Sequence, residues 1–456
     1  MRYYAELPLE ALLGLDDGEC ACGRRHRTDL KYLKISRGAM TALPDMLEKL
    51  SVSRPMLVCD ENTWEAAGQR AAAILDAAGI RYSLYRYETR QRLNPAEWEL
   101  GSLAMHCDLA CDILLGVGGG VINDLCKLMG KAAGIPTAIV ATAPSMDGFA
   151  SNSGAMEVGG VKKTIYTPSP AGVICDTDVM ARAPKRMLLA GVGDMIAKYI
   201  SICDWRISHV VNGEYYCENI ASLMRTALGR VMENLDGVME RNPDAAGAVA
   251  EGLVLAGMAM ALAQVSRPAS GLEHCFSHIW EMMALERGRP YDLHGIQVGI
   301  GTMLALSVYR EVRSWKPDMT RVEAAISGFD PAAWEADLRR VFGGAAEPLI
   351  VQEAVQHKND PDGQRSRAKR IIEKWDEILK IMDEELPDEG ELRRQMRRIG
   401  LPVRPADIGI SDRDAMDAFV CSRDIRDRYL LSSMLWDIGR LNDGLKAFER
   451  ALEENA

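Results

Sequence analysis

At 456 residues, the chain is long enough for two domains with substantial hydrophobic cores. Its net charge of −11 argues against general affinity for nucleic acid, because phosphate backbones are bound by basic surfaces. The apolar fraction of 48% is ordinary for a soluble globular protein, and the 11 cysteines, scattered through apolar segments, indicate buried thiols in a reducing cytoplasm rather than a disulfide framework.

Neither a secretory signal nor a membrane span is expected. The first residues, MRYYAELPLE, lack the basic start and apolar stretch of a signal peptide. The most apolar segment, Gly252 to Val265, has an uncharged run of about a dozen residues, shorter than the roughly 20 that a span needs. Glu251 and Arg267 flank this segment. We therefore predict a helix buried among other helices.

Between about Lys31 and Asp178, short β-like runs alternate with helical ones. MLVCD, from Met56 to Asp60, predicts a strand, and WEAAGQRAAAILDAAG predicts the helix that follows it. DILLGVGGG predicts a strand that enters a glycine turn, VINDLCKLMGKAAG the next helix, and TAIVATAPS and AGVICDTDVM further strands. This βαβ rhythm indicates a parallel sheet covered by helices on both faces, as in Rossmann-like domains.

After about Ala183 the strand signals fade and helical periodicity continues to the C-terminus. We therefore predict an α/β domain over residues 1–182 and an all-α domain over residues 183–456. The strongly polar region Asn359–Arg370 predicts a solvated loop or the start of a helix.

A glycine turn lies in GVGGGVINDLCK, Gly116 to Lys127. Glycines between a strand and a helix let the backbone approach a pyrophosphate, and the helix N-terminus offers N–H groups and a favourable dipole. The pattern G-x-G-x-x-G is not met, because its final position is Val121. The turn alone is weak evidence for a nucleotide, since a tight turn needing positive φ predicts the same glycines.

Three of the seven histidines, His274, His278 and His294, lie close together in the chain. The first two are four residues apart and so share one face of a helix. Each alone predicts nothing more than an ordinary hydrogen-bonded histidine, but three together favour a metal site. Asp194 in GVGDMIAK is a candidate carboxylate ligand, expected at a helix start after a glycine turn, where N-capping is the alternative role.

An N-terminal element, GECACGRRH, places Cys20, Cys22 and His26 in the spacing C-x-C-G-x-x-H. These residue types bind zinc, but a structural zinc site uses four ligands and only three are visible here. We therefore interpret the element as a structural loop.

Six segments carry a resemblance to a known family: GGGVINDLCK, ATAPSMDGFAS, GVGDMIAK, SRPASGLEHCFSH, LHGIQVGIGT and IRDRYLL. Together they resemble the sn-glycerol-1-phosphate dehydrogenase family, in its bacterial arabinose-operon branch. That family belongs to the superfamily of iron-containing alcohol dehydrogenases and dehydroquinate synthases. The segments lie in the family's order and span roughly Cys20 to Gly439. The resemblance implies a dehydroquinate synthase-like fold, with an N-terminal dinucleotide-binding domain and a helical metal- and substrate-binding domain.

The resemblance implies one divalent metal ion, held by Asp194, His274 and His294. His278 matches a residue that lines the same pocket, and we interpret it as a proton relay. A carboxylate with two neutral imidazoles suits Zn²⁺, Ni²⁺ or Fe²⁺, and the ligand types do not choose among them.

NAD(H) or NADP(H) is the implied cofactor, with its pyrophosphate at the glycine turn. A carboxylate at Asp60, which ends an early strand, would bind the adenosine ribose and favour NAD over NADP by repelling the extra phosphate. The other matching cofactor positions are Gly118, Gly119, Gly120, Asp124, Thr142 and Ser145. Lys127, like Asp124, matches a helix position beside the glycines.

The implied substrate is dihydroxyacetone phosphate, which such enzymes reduce to sn-glycerol 1-phosphate. Asp147 in SMDG matches a substrate-contact position. The phosphate needs cations; Arg267, inside the specific motif, is the first candidate, followed by Lys163 and Lys162. For Lys162 and Lys163, an ordinary pair of solvent-exposed loop lysines is an equally good interpretation. We also expect a homo-oligomer, with a dimer favoured.

Three other functions remain open from the sequence. A glycerol or polyol dehydrogenase would use the same metal ligands without a phosphate on its substrate. A dehydroquinate synthase-like lyase usually has Glu as its first metal ligand, and Asp194 argues against it. A non-catalytic protein that kept the fold would not need the complete metal-ligand set and the glycine turn, and their presence argues against this function.

Overall fold

A computed structural model describes residues 3–18, 20–159 and 161–454. The chain forms two compact units. The first, here called the sheet unit, comprises Met1–Met195 and Cys217–Ala269. The second, the helical unit, comprises Ile196–Tyr216 and Ser270–Ala456.

The strands are β1 Asp16–Asp17, β2 His26–Arg27, β3 Tyr32–Ser36, β4 Pro55–Asp60, β5 Ser83–Tyr87, β6 Ile113–Gly118, β7 Thr137–Ala141, β8 Ser153–Val158, β9 Val161–Tyr166 and β10 Gly172–Asp176. The α-helices are α1 Leu43–Lys49, α2 Glu61–Thr63, α3 Gln69–Ala77, α4 Glu97–Met105, α5 Gly120–Ala133, α6 Thr177–Ala181, α7 Lys185–Ile196, α8 Lys198–Asn212, α9 Glu218–Glu233, α10 Leu235–Met239, α11 Pro243–Ala263, α12 Leu272–Glu286, α13 His294–Val312, α14 Met319–Ser327, α15 Pro331–Phe342, α16 Ala346–Gln356, α17 Pro361–Glu373, α18 Trp375–Glu385, α19 Glu389–Ile399, α20 Asp412–Cys421, α21 Leu431–Asp437 and α22 Leu441–Glu453. Short 3₁₀ helices are Tyr4–Glu6, Leu9–Leu12, Ala39–Ala42, Asp147–Ala150, Gly343–Ala345 and Pro405–Ile408, and a π turn, Trp64–Gly68, joins α2 to α3.

The sheet unit contains a six-stranded parallel sheet in the order β3-β10-β7-β6-β4-β5. Its central strands are apolar because both faces are covered. Leu57 and Leu115 point to the core that includes α1 and α3. Met56 and Leu114, their neighbours in sequence, point to the opposite core that includes α5. The predicted parallel sheet is therefore confirmed.

Helix α11 is buried in the sheet unit. It is long and apolar enough to cross a membrane, with a mean hydropathy of 1.8, but 89% of its most apolar window is buried inside the protein. A Cβ at Gly257 would lie 2.7 Å from the carbonyl oxygen of Asp147, so this helix packs directly on the loop after β7. The prediction of a buried helix is confirmed. Helices α9–α11 belong to the sheet unit, so the two compact units alternate along the chain. The predicted domains 1–182 and 183–456 instead divide the chain at a single boundary.

The helical unit packs around aromatic side chains. Phe276 of α12, Phe419 of α20 and Phe448 of α22 have ring centroids 5.1–6.4 Å apart, within the range of favourable aromatic pairs. In the polar region that begins at Asn359, the Asp360 carboxylate accepts the N–H of Gly363 (2.6 Å) and caps α17. That region is therefore the start of a helix, one of the two predicted forms.

Candidate functional site

The glycine turn joins the end of β6 to α5. Gly118 ends the strand, and Gly119 is the N-cap residue, whose carbonyl accepts the N–H of Asn123 (3.1 Å). Gly120 is the first residue of the helix. A Cβ at Gly119 would meet no atom within 4 Å, so space is open above the turn. The first N–H groups of a helix have no partner within it, and they attract anions.

Asp60 and the loop after β7 lie at the same edge of the sheet, because β4, β6 and β7 are parallel neighbours. The Asp60 carboxylate accepts the N–H of Thr63 (2.7 Å) and so caps the helix that follows. Thr142 is buried and donates its N–H to the carbonyl of Gly118 (3.1 Å), and Ser145 is buried further along the same loop. The structure thus brings the predicted cofactor residues of these three strand ends to one edge.

Asp124 and Lys127 of α5 contact the protein's own backbone. The buried ammonium of Lys127 donates to the carbonyls of Gly148 (2.9 Å) and Ser153 and pairs with Asp124 (3.0 Å). Asp124 also accepts the N–H of Ala155 (3.2 Å). These contacts hold the segment after β7 against α5, a structural role that requires no cofactor.

Asp194 lies within α7 and is completely buried. The expectation of a helix start at GVGDMIAK is wrong. Each glycine costs an interior helix position about 1 kcal/mol, but buried apolar neighbours such as Val192 and Met195 outweigh that cost. The Asp194 carboxylate accepts the N–H of Asp147 (3.0 Å). A predicted metal ligand and a predicted substrate contact are therefore adjacent in the sheet unit.

Three histidine rings converge in the helical unit. His274 and His278 lie one turn apart on α12, and His294 is the first residue of α13. The ring centroids are 6.4 Å apart for the pair on α12, and His294 lies 5.1 Å from His274 and 5.5 Å from His278. The structure brings together all three histidines that the sequence pattern singled out.

The two helices that carry these rings are held closely together. Asp204 of α8 accepts the N–H of Leu272 (2.8 Å), where α12 begins, and the hydroxyl of Tyr309 on α13. Gly301 of α13 lies directly against α12, since a Cβ there would be 2.7 Å from the carbonyl oxygen of Glu273. The glycine thus allows a helix contact that fixes the spacing of the histidines.

Hydrogen bonds orient two of the rings. Nδ1 of His274 lies 2.7 Å from Oε1 of Glu273, and Nδ1 of His294 lies 3.0 Å from Oγ of Ser277. When Nδ1 carries the proton, Nε2 keeps its lone pair and is the metal-binding nitrogen. Burial raises the pKa of Glu273 to about 7, while the N–H of Gly271 favours its ionised form.

His278 differs from the other two rings in its electrostatic surroundings. Burial lowers its pKa well below the usual value, and the positive charge of Arg426 lowers it further. Its imidazole is therefore neutral at pH 7. The nearest carboxylate is that of Glu281, whose Oε2 lies 3.8 Å from Nδ1 of His278 and whose Oε1 lies 3.5 Å from Nδ1 of His294.

Glu281 and Arg426 are site residues that the sequence interpretation missed. Glu281 is seven positions after His274 and three after His278, so helix periodicity places all three on one face and could have found it. Arg426 lies in IRDRYLL, a segment already singled out by resemblance, but no spacing rule connects it with α12.

The predicted phosphate ligands lie in different environments of the sheet unit. Arg267 is buried, with 3% of its surface exposed. Lys162 and Lys163 lie on β9, which pairs with β8 in an antiparallel hairpin, and Lys163 is exposed to solvent. Burial makes Arg267 the stronger candidate, because a buried cation binds phosphate with little screening by water.

Comparisons with known proteins show the family of this chain. A family model described as iron-containing alcohol dehydrogenase matches residues 34–184. A glycerol-1-phosphate dehydrogenase (NAD(P)+) of Halalkalibacterium halodurans is 30% identical over 416 residues, which cover 91% of this chain and 94% of the relative. The chain belongs to the glycerol-1-phosphate dehydrogenase family. A glycerol-1-phosphate dehydrogenase (NAD(P)+) of Thermofilum pendens is 35% identical over 278 residues, covering 60% of this chain and 77% of the relative.

Solved structures confirm the fold predicted for this glycerol-1-phosphate dehydrogenase family member. A glycerol dehydrogenase from Schizosaccharomyces pombe superimposes with a TM-score of 0.62 at 16% identity, over 94% of this chain and 92% of the other. A probable glycerol dehydrogenase from Sinorhizobium meliloti gives 0.59 at 17% identity, over 92% and 98%. At these identities the likeness concerns the fold alone.

Proposed function

We propose that the protein is a metal-dependent oxidoreductase that interconverts dihydroxyacetone phosphate and sn-glycerol 1-phosphate with NAD(P)H. One observation carries the proposal: 30% identity to a glycerol-1-phosphate dehydrogenase along 94% of that relative. Two solved structures named as glycerol dehydrogenases are 16% and 17% identical to this chain, and a likeness at such identity bears on fold and not on substrate.

The residues at the glycine turn fit a dinucleotide. Open space above Gly119 and the N-terminus of the 14-residue helix α5 would admit a pyrophosphate, and Asp60 at the same sheet edge would bind the adenosine ribose. Because a ribose phosphate would meet the Asp60 carboxylate, we propose NADH as the preferred reductant. When bound, the dinucleotide supplies the hydride.

The donor set fits one divalent metal ion, with Asp194, His274 and His294 as its proposed ligands. The fit rests on the Nδ1 contacts of the two histidines, which leave Nε2 for a ligand, and on the buried carboxylate of Asp194. Zn²⁺, Ni²⁺ and Fe²⁺ all suit these ligands. When bound, the ion supplies positive charge that favours an alkoxide over a carbonyl in the substrate.

The proton that completes the reduction is assigned to His278. Reduction of the ketone consumes one hydride and one proton for each molecule of product. A neutral imidazole relays a proton by accepting one on one nitrogen while releasing another from the other, and the lowered pKa of His278 keeps it neutral. Glu281, close to both His278 and His294, would hold these rings in place.

Substrate orientation is assigned to Asp147 and Arg267. Asp147, whose N–H is bound to the Asp194 carboxylate, would accept a substrate hydroxyl. The buried guanidinium of Arg267 would bind the phosphate, with Lys163 and Lys162 as the next candidates. A homodimer in the cytoplasm is part of the same proposal.

The test is oxidation of NADH by the purified protein, with dihydroxyacetone phosphate and dihydroxyacetone compared under the same conditions. We expect a clear preference in kcat/KM for the phosphorylated ketone, and sn-glycerol 1-phosphate as the product in a stereospecific assay. A preference for dihydroxyacetone would establish the polyol dehydrogenase, and the 3-phosphate enantiomer would contradict the proposed stereochemistry.

A further inference from the structure

The N-terminal C-x-C-G-x-x-H element meets a fourth ligand in the folded sheet unit. Cys20, Cys22 and His26 converge on Cys217, the residue at the N-cap of α9. One potential ligand atom from each of the four residues lies within 4.8 Å of every other. The missing ligand of the sequence pattern is thus supplied by a residue 191 positions after His26.

The distances within this cluster fit a tetrahedral ion. Zinc–sulfur bonds of about 2.3 Å and zinc–nitrogen bonds of about 2.0 Å separate two sulfur ligands by about 3.8 Å and sulfur from nitrogen by about 3.5 Å. The sulfurs of Cys20 and Cys217 are 3.7 Å apart. Nε2 of His26 lies 3.5 Å from the sulfur of Cys217 and 3.2 Å from that of Cys22. A disulfide would need sulfurs about 2.05 Å apart.

The tautomer of His26 is fixed for metal binding. Its ring is completely buried, and Nδ1 lies 2.8 Å from the carbonyl oxygen of Leu262. A carbonyl only accepts, so Nδ1 must carry the proton. In a neutral imidazole Nε2 then has a lone pair, and this is the nitrogen that faces the sulfurs.

Polar groups and a tight turn shape the surroundings of the sulfurs. The amide nitrogen of Asn219 donates to the sulfur of Cys20 (3.4 Å). Cys217 is the N-cap residue of the 16-residue helix α9, but burial raises the pKa of its thiol, so the entering metal ion must displace that proton. Gly23 makes the loop possible: it adopts a φ of +77° and donates its N–H to the carbonyl of Cys20 (2.8 Å), closing a tight turn between the ligands.

We propose that Cys20, Cys22, His26 and Cys217 bind one structural Zn²⁺ ion. Three thiolates and one imidazole form a closed, four-ligand site, which suits a structural rather than a catalytic ion, and the three thiol protons leave as the metal enters. The ion would link the N-terminal hairpin to α9. Through the Leu262 carbonyl it would also fix the end of α11, five residues before Arg267. This site is independent of the metal proposed for catalysis.

The test uses full-length protein, purified with a reductant and without chelators, and counts zinc by elemental mass spectrometry. The His274→Ala background removes the proposed catalytic ion, so we expect one zinc per chain to remain there. Adding Cys22→Ser should remove it. Cys22 is half-buried, which makes it the mildest ligand to replace. Adding Cys107→Ser, a half-buried cysteine outside the cluster, should leave the zinc in place.

Cobalt substitution makes the test independent of whether Cys22→Ser folds. Co²⁺ bound by thiolates gives an intense near-ultraviolet sulfur-to-metal charge-transfer band, which a site of carboxylate and imidazole ligands lacks. We expect this band in the His274→Ala protein, where all four proposed ligands are intact. Absence of the band, absence of zinc in His274→Ala, or a Cys20–Cys217 disulfide in the reductant-purified protein would overturn the proposal.

Discussion

The hydroxyl oxygen of Ser277 on α12 lies 3.0 Å from Nδ1 of His294 on α13. One turn earlier on α12, the carboxylate of Glu273 holds Nδ1 of His274 at 2.7 Å. Both rings are thereby oriented by side chains of a single helix, and both present Nε2. His278, on the same helix, has a longer contact, since Oε2 of Glu281 lies 3.8 Å from its Nδ1. Side chains of α12 therefore orient the rings of His274 and His294, whereas the ring of His278 is suited to proton transfer.

The first prediction follows from this difference. His274→Ala should lose the catalytic metal and nearly all activity, whereas His278→Ala should keep most of the metal and lower kcat. Ser277→Ala should weaken metal binding by roughly 10-fold, the lower end of the usual effect of removing an outer hydrogen bond to a metal-bound histidine. Metal titration of each chelated protein, with kcat measured at saturating metal, checks all three. Equal metal affinity in wild type and His274→Ala would refute the ligand assignment.

The second prediction concerns the dinucleotide. Gly119→Ala and Gly119→Val should raise the KM for NADH progressively, because a side chain would occupy the open space above the turn. Folding should be preserved, since a Cβ at this position meets no atom within 4 Å. Gly101→Ala, which also meets none, is the control and should leave the KM unchanged. Unaltered NADH kinetics in Gly119→Val would show that this turn has only a structural role.

Much of the sheet unit was predictable from local patterns. Apolar runs such as the one ending at Asp60 gave the strands, and the glycines after Val117 gave the strand–helix turn. The predicted helix start at Asp194 failed because glycine propensity is a weak local signal, and packing of the surrounding residues decides whether a helix continues. The inclusion of α9–α11 in the sheet unit was not predictable, since helical periodicity identifies a buried face but not the partner that covers it.

The residues of the candidate sites were also predictable only where local spacing relates them. Spacing placed His274 and His278 on one helix face, and the same rule extends to Glu281. Cys217 could not be found this way, because no periodicity relates it to the C-x-C-G-x-x-H element. Only the folded chain brings α9 to the N-terminal hairpin.

The third prediction concerns the contact between α12 and α13. Gly301→Ala should destabilise the protein by about 1–3 kcal/mol, the usual cost of overpacking, because the added methyl group would lie 2.7 Å from the Glu273 carbonyl oxygen. Metal affinity should fall with it, since the contact sets the spacing between the histidines. Gly229→Ala on α9 meets no atom within 4 Å and should be stabilising by about 0.4–1 kcal/mol. Urea unfolding of the metal-free proteins measures both changes. A Gly301→Ala protein as stable as wild type would show that the helices move apart without cost.

The last prediction concerns the phosphate, which separates the proposed enzyme from a polyol dehydrogenase. A bound phosphate carries nearly two negative charges and needs charge-assisted hydrogen bonds. If Arg267 supplies them, Arg267→Ala should cost about 2–5 kcal/mol in kcat/KM for dihydroxyacetone phosphate, as truncation of a buried charged partner does. The cost for dihydroxyacetone should be far smaller, because that substrate leaves no charge unpaired. Arg267→Lys should recover part of the loss, since an ammonium keeps the charge without the two-pronged geometry.

The quantity to measure is the ratio of kcat/KM for the two substrates, in wild type, both Arg267 variants and Lys163→Ala. Lys163 is exposed on β9, so water screens its charge and its replacement should change the ratio little. A ratio that falls in Arg267→Ala and is preserved in Lys163→Ala assigns the phosphate to the buried arginine. The reverse pattern would transfer that role to the β8–β9 hairpin while leaving the enzyme class intact, because the preference for the phosphorylated ketone would still be present in wild type.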